Sequence, residues 1–338
     1  MKEILVLNLT DKNTRKLFVS LGYMARNGVN AHRTEQLKTN HKMSIKNYVA
    51  VLILTLLASC SANKIFLQPT KIPVAIKKAT LKTDRDTTVV FFTGDNHQPT
   101  FTNKGKDTLD LGYTVESVVF RSANGNDLNG WFLKPKNQTT KITLLHFHGN
   151  AGSVFQQYQA ISPLLKYGFQ IFMFDYSGFG FSAGKATREN VLTDGLSAFD
   201  YLKARQDTKD SKLIIYGQSL GGHLAAVVAK QREKDINGLV IEGGFSSHKD
   251  MAKSRGGFLG KLIVKEMYSG KAAIKDFHKP VLVIHSSEDK TVSFALGKKM
   301  FDNANQPKEF YEIKNCHICG PKFYADTISQ KIKGLLKP

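Results

Sequence analysis

Cysteine is scarce, three residues in 338, which excludes a disulfide-dense scaffold. Acidic side chains are few beside basic ones, 28 Asp and Glu against 48 Lys and Arg, and the formal charge is +20. The basic residues are scattered and no module of interleaved aromatic and basic residues accompanies them, so nucleic acid is not an expected partner. The charge reads as a solvated lysine-rich surface, with anionic lipid head groups as the rival partner. No apolar run is long enough for a bilayer-spanning helix, which needs about 20 residues. Against these shortages stands a hydrophobic content of 41%, enough for a sizeable core and contrary to disorder.

Residues 1–42 are polar and basic, and they precede a second candidate start at Met43. Residues 43–59 combine a short positive region, the apolar stretch 48–57 and small residues before a boundary, the pattern of a signal peptide. Leu57-Ala58-Ser59-Cys60 also resembles the lipobox of bacterial lipoproteins. That resemblance implies a diacylated Cys60 as the mature N-terminus and a membrane-anchored place in the bacterial cell envelope, on its periplasmic or extracellular face. A buried helix that happens to end in cysteine is the competing reading. Residues 60–112 read as a tether followed by a polar, strand-poor leading segment packed on the main domain.

From residue 113 the rhythm is regular. Strands at 113–121 and 128–133 flank the turn Asn124-Gly125-Asn126-Asp127 and hold the single tryptophan, Trp131, as a core anchor. Apolar runs at 142–147, 169–174, 212–216, 238–242, 281–285 and 310–313 read as strands, with helices at 154–167 and 190–203 among the connections. Runs without polar alternation, separated by helices, predict an α/β domain over 113–338 with a mostly parallel central sheet and helices on both faces. Sites in such sheets lie at the carboxyl ends of the strands.

The stretch Leu213-Ile214-Ile215-Tyr216-Gly217-Gln218-Ser219-Leu220-Gly221-Gly222 runs from a strand into a Gly-x-Ser-x-Gly turn and then a helix. This is the sequence form of a nucleophile elbow, in which Ser219 is held in a strained turn and Gly217 and Gly221 permit close approach of strand and helix. The N–H of Leu220 at the helix start can face a developing oxyanion. His148-Gly149-Asn150-Ala151-Gly152 follows an earlier strand end, and its Asn150 N–H is the candidate second oxyanion donor. A serine nucleophile needs a base and the base an orienting acid. Downstream of Ser219 the imidazoles are His223, His248, His278, His285 and His317. Asp289, on the loop leaving the 281–285 strand, is the candidate acid, with Glu288 as its surface neighbour. In the order serine, acid, histidine, the base is the one histidine after Asp289, His317.

These residues resemble the alpha/beta-hydrolase superfamily, in particular its small-lid serine hydrolases of the serine-aminopeptidase-like kind. The resemblance covers about residues 113–338 and rests on His148-Gly-Asn-Ala-Gly152, Asp175-Tyr-Ser-Gly-Phe-Gly-Phe-Ser182, Gly217-Gln-Ser-Leu-Gly-Gly222 and His285-Ser-Ser-Glu-Asp289. It implies an alpha/beta-hydrolase fold with a short lid, here residues 245–280. Two positions depart from the family pattern: Ser177 stands where relatives commonly carry arginine, and Cys316 precedes His317 where glycine is usual. Cys316 and Cys319 read first as unpaired small side chains, and second as a disulfide stiffening the His317 loop of an exported protein. A metal site there would lack ligands. In the lid, Leu259, Leu262, Ile263 and Met267 share one helical stripe, expected to cover the core or to wall an acyl pocket.

The expectation is a serine hydrolase acting on a small or lipid-like ester or thioester through an acyl-enzyme, with no metal or organic cofactor. A peptidase or amidase of the same fold is the alternative, and a non-catalytic envelope-anchored binding protein a second one.

Overall fold

A computed structural model describes residues 65–82, 87–104, 107–137 and 139–336. The upstream extension, the signal-peptide stretch and Cys60 lie outside the described residues. The leading segment holds strand β1 (Gln68–Pro69) and an antiparallel sheet of β2 (Lys78–Lys82), β3 (Thr87–Thr93) and β4 (Gln98–Thr102). This corrects the expectation of a strand-poor segment. The run Thr87-Thr88-Val89-Val90-Phe91-Phe92 is β-branched and aromatic, and Val90, Phe92 and Phe101 are buried in one cluster with Trp131. Removing each such side chain from water contributes about 1.5–3 kcal/mol, so the segment is anchored by burial, and Trp131 is the core anchor expected of it.

The main sheet begins with a hairpin. β5 (Tyr113–Arg121) alternates towards the core on one face, and β6 (Asp127–Pro135) returns beside it with Tyr113 opposite Pro135. β7 (Ile142–Phe147), the two-residue β8 (Ala151–Gly152), β9 (Gln170–Phe174), β10 (Lys212–Gln218), β11 (Gly238–Glu242), β12 (Val281–Ser286) and β13 (Lys308–Ile313) follow. Eight of these strands form one sheet in the order β13-β12-β11-β10-β7-β9-β6-β5. Every neighbour pair from β13 to β9 is parallel, and β6 alone runs against the rest. All residues of β7, β11 and β12 are buried, which explains why these strands read as unbroken apolar runs: both faces are covered.

The crossover after β8 differs from the single helix expected over 154–167. It breaks into α1 (Val154–Gln157) and 3-10 turns at Tyr158–Ala160 and Ser162–Tyr167. Pro163 in the first turn of the second piece cannot donate to a preceding carbonyl, and Gly168 in a left-handed conformation ends it. α2 (Arg188–Ala204) is capped by the Thr187 hydroxyl, which accepts the Asn190 N–H at 3.1 Å. α3 (Leu220–Gln231), α4 (His248–Ile263), α5 (Gly270–Lys275), α6 (Phe294–Asn303) and α7 (Gly320–Leu335) complete the layers. Two apolar cores, one on each face of the sheet, result. Among the described residues no helix is long and apolar enough to cross a membrane.

Candidate active site

Strand β10 stops at Gln218 and α3 starts at Leu220, so Ser219 alone makes the junction. Its backbone lies at φ 57°, ψ −119°, a region that non-glycine residues occupy at a cost of order 1–3 kcal/mol. The flanking glycines are sterically required. A Cβ on Gly217 would lie 2.2 Å from the Gly221 carbonyl oxygen, and one on Gly221 would lie 2.0 Å from that of Phe147. Ser219 donates its N–H to the Glu242 carbonyl at 2.9 Å, which fixes the elbow to the end of β11. The N–H of Leu220 sits at the first helical position, where an α-helix offers no acceptor of its own.

The next residue of the β11 end, Gly243, lies under the imidazole of His317, close enough that a Cβ there would approach its Cε1 and Nδ1 to 3.1 Å. Nδ1 of His317 is 2.6 Å from Oδ2 of Asp289. Asp289 Oδ1 accepts the N–H groups of Thr291 and Val292 at 2.7 and 2.8 Å. Burial alone would raise the Asp289 carboxyl, but these bonds and the His317 contact hold it below the ordinary carboxylate value. An ionised Asp289 can only accept, so the proton of a neutral His317 sits on Nδ1 and the lone pair on Nε2. Nε2 makes no hydrogen bond to any described residue, the Ser219 hydroxyl included.

The other candidate histidines are placed elsewhere. His285 is buried in β12, where its Nε2 contacts the Val292 carbonyl at 3.0 Å and lies 3.5 Å from Asp289 Oδ2. It therefore supports the acid's loop from below. His278 is exposed beside Glu233. His223 and His248 meet Glu266 at the base of the lid, bringing three donor atoms within 4.8 Å of one another. The Glu266 oxygens are taken by the His248 ring and by the N–H groups of His248 and Lys249, so this carboxylate caps α4. Burial lowers His223 to about 3, and it stays neutral beneath the stacked Phe245 ring.

In the His148-Gly149-Asn150 turn the His148 ring, lowered to about 3 by burial, donates from Nδ1 to the Gly149 carbonyl at 2.8 Å. The Asn150 N–H belongs to the same trans peptide and points the opposite way. The Gly149 N–H is already engaged by Gln157 Oε1 at 3.1 Å, and the Asn150 carbonyl accepts the Gln68 N–H at 2.8 Å. The turn is thus held from α1 and from β1. Gln68 and Gln157 escaped sequence reasoning because a single polar residue in a loop or short helix carries no periodic signal.

Glu242 was missed as well. Its carboxylate is fully buried and accepts the Tyr216 hydroxyl and Gln218 amide at 2.7 Å each and the Gly320 N–H at 2.6 Å. A glutamate closing an otherwise apolar strand was the available sign. Ser177, in place of the family arginine, is buried in a polar net: Asp194 accepts its N–H, and the Asn126 amide donates to its hydroxyl. The expectation of unpaired cysteines is overturned, since Cys316 and Cys319 are bonded, with Cα atoms 5.7 Å apart. The two residues need only one short turn to meet, and that turn carries His317.

The profile of the alpha/beta-hydrolase fold matches residues 142–262. The uncharacterized protein YfhR of Escherichia coli O157:H7 is 31% identical over 206 residues, which span 60% of this chain and 72% of that protein. Lysophosphatidylserine lipase ABHD12 of Mus musculus is 27% identical over 292 residues, 79% of this chain and 69% of that protein. Among solved structures, the Pyrococcus furiosus esterase Pf2001 superposes with a TM-score of 0.58 at 15% identity, over 80% of this chain and 97% of that one. The chain belongs to the alpha/beta-hydrolase fold family. Esterases share its fold, and a lipase is among its relatives by sequence.

Proposed function

We propose that the chain is a serine hydrolase of carboxylic esters or thioesters, with a lipid-like acyl compound as substrate. One observation carries the reading: Ser219 occupies a left-handed strand-to-helix junction bonded to Glu242, and over the next residue, Gly243, lies an imidazole whose Nδ1 is tied to a buried aspartate. The Ser219 hydroxyl oxygen attacks the acyl carbon while its proton passes to Nε2 of His317. Asp289 keeps the imidazole in the Nδ1–H tautomer and stabilises the charged ring. The N–H groups of Leu220 and Asn150 hold the oxyanion, each donor contributing about 2.7–4 kcal/mol in comparable sites. The proton on Nε2 then goes to the leaving alcohol or thiol as its bond to carbon breaks. Water, deprotonated by the same nitrogen, cleaves the acyl-enzyme and restores Ser219. The relative that acts on a lysophospholipid favours a lipid-like acyl group. The 48–60 stretch supports an acylated Cys60 as the anchor.

The test is labelling with a fluorophosphonate, followed by a panel of esters and peptides. Wild type is expected to label and to hydrolyse esters, with Ser219→Ala inert and Asp289→Asn slower by about 10^4-fold. Equal labelling of wild type and Ser219→Ala would refute the nucleophile. Membrane fractionation of Cys60→Ala tests the anchor, and unchanged partition counts against it.

A further inference from the structure

Three members of the lid's apolar stripe, Leu259, Leu262 and Ile263, do not cover the core; Met267, beyond the end of α4, does pack against it. α4 is interrupted at Gly256 and Gly257, the latter at φ 60°, ψ −151°. The half before the break is pinned: Ser247 caps it, and Asp250 meets Lys271 and Lys299 at 2.7 and 2.9 Å. The half after it turns its apolar side chains outward. Phe258, Leu259, Leu262 and Ile263 are 67, 73, 63 and 52% exposed. They are four of the eight large exposed apolar side chains among the described residues, gathered within six consecutive positions. Exposed apolar side chains are ordinarily scattered singly, and a gathered cluster calls for an occupant.

Three further observations identify the occupant. Lys253, Arg255, Lys261 and Lys265 surround the cluster and are exposed, and no acidic residue occurs between Met251 and Lys265. The Arg255 guanidinium bonds the Thr291 carbonyl, two residues beyond Asp289, so the residue just before the break reaches the loop that carries the candidate acid. The first described residues emerge beside the same lid, since the Phe66 ring packs edge-on against His248 at 4.7 Å. Cys60 is five residues before Ile65, at most about 18 Å of extended chain. An acyl anchor at Cys60 and the apolar lid would therefore meet the same surface. We propose that residues 257–263 dock on an anionic lipid bilayer, with the four apolar side chains among the acyl chains and the four basic ones at the head groups. This reaches beyond the hydrolase reading and requires no turnover.

The lid itself must be observed, because the 48–57 stretch can hold the full chain on vesicles by other means. Full-length Cys60→Ser protein carrying Leu259→Trp provides that signal against the buried Trp131. It is mixed with vesicles of phosphatidylcholine alone or with phosphatidylglycerol, each also made with brominated acyl chains. The new emission is expected to shift to the blue and to be quenched by brominated chains on the anionic vesicles. Lys253→Gln, Lys261→Gln and Lys265→Gln together should weaken the response at least about tenfold. Emission unmoved by anionic vesicles overturns the proposal, as does an equal response on phosphatidylcholine alone. Emission already blue-shifted without vesicles would also overturn it, by showing the cluster covered by a second copy or by the chain's own leading residues.

Discussion

Glu242 Oε1 accepts the N–H of Gly320 at 2.6 Å, tying the last residue of β11 to the first of α7. The Cys316–Cys319 turn, with His317 inside it, thus hangs from a buried carboxylate that also receives Tyr216 and Gln218. Burial raises this carboxyl, and the three donors are what make the position tolerable.

Replacing Glu242 by leucine leaves those donors unpaired at about 1–3 kcal/mol each. We expect the denaturant midpoint, followed by circular dichroism, to fall far below that of wild type. Glu242→Gln keeps an acceptor and should lose less. A leucine variant as stable as wild type would show that the carboxylate is not a structural hub.

Asp175 gives a dependence on pH. Burial pushes its carboxyl from 3.8 to about 7, so the folded chain retains a proton that the unfolded chain releases. Its contribution is fully present below about pH 4 and is lost as pH rises to about 7, with a slope of at most about 1.4 kcal/mol per pH unit. Asp175→Asn keeps an acceptor for the Val154 N–H, bonded at 2.7 Å in wild type, and should flatten that slope in chemical melts across the window.

The elbow can be tested without touching the serine. Gly221→Ala drives a methyl group against the Phe147 and His148 carbonyl oxygens, 2.0 and 2.6 Å away. Backbone cannot yield as a side chain can, so a loss of about 3 kcal/mol or more is expected, together with loss of labelling. A methyl group added at Gly256 would meet nothing within 4 Å, and Gly256→Ala should stay within about 0.5 kcal/mol of wild type. Equal melts for the two variants would contradict the steric account.

Cys316→Ser with Cys319→Ser opens a ring that encloses His317 and Ile318, the latter at φ 47°. A loop this short constrains the unfolded chain little, so the melting temperature should barely move. Ester turnover should fall several-fold as the imidazole loses its fixed place. Reductant acting on wild type should reproduce that loss, and turnover equal in all three samples would count against it.

The parallel strands were legible because burial on both faces leaves them uninterrupted apolar residues, as in Val281-Leu282-Val283-Ile284. The elbow was legible because Gly217 answers to crowding by the Gly221 carbonyl within one local turn, and Gly-x-Ser-x-Gly marks that turn in sequence. Strands β2 to β4 were not, since Lys78, Thr80, Thr93 and Thr100 at exposed positions mask Val90, Phe92 and Phe101. Leu259, Leu262 and Ile263 misled for another reason: periodicity fixes which side chains share a stripe, but not whether the stripe faces protein. Gln68 bonds the Asn150 carbonyl across about eighty residues of chain, and such a pairing leaves no mark on neighbouring sequence, whereas Glu242 left one, a single charge closing an apolar strand.

Strand β1 is two residues long, yet Gln68 holds the Asn150 carbonyl, and Ile72 and Thr70 exchange backbone bonds with Gly180. A chain begun at Tyr113 would keep all eight strands of the main sheet and lose this clasp. Trp131 would also be stripped of its Phe101 neighbour. The described residues from 65 onward are therefore bonded to and packed on the main sheet. Cutting at the boundary that the motifs suggest would expose Trp131 and leave the Asn150 carbonyl without its Gln68 donor.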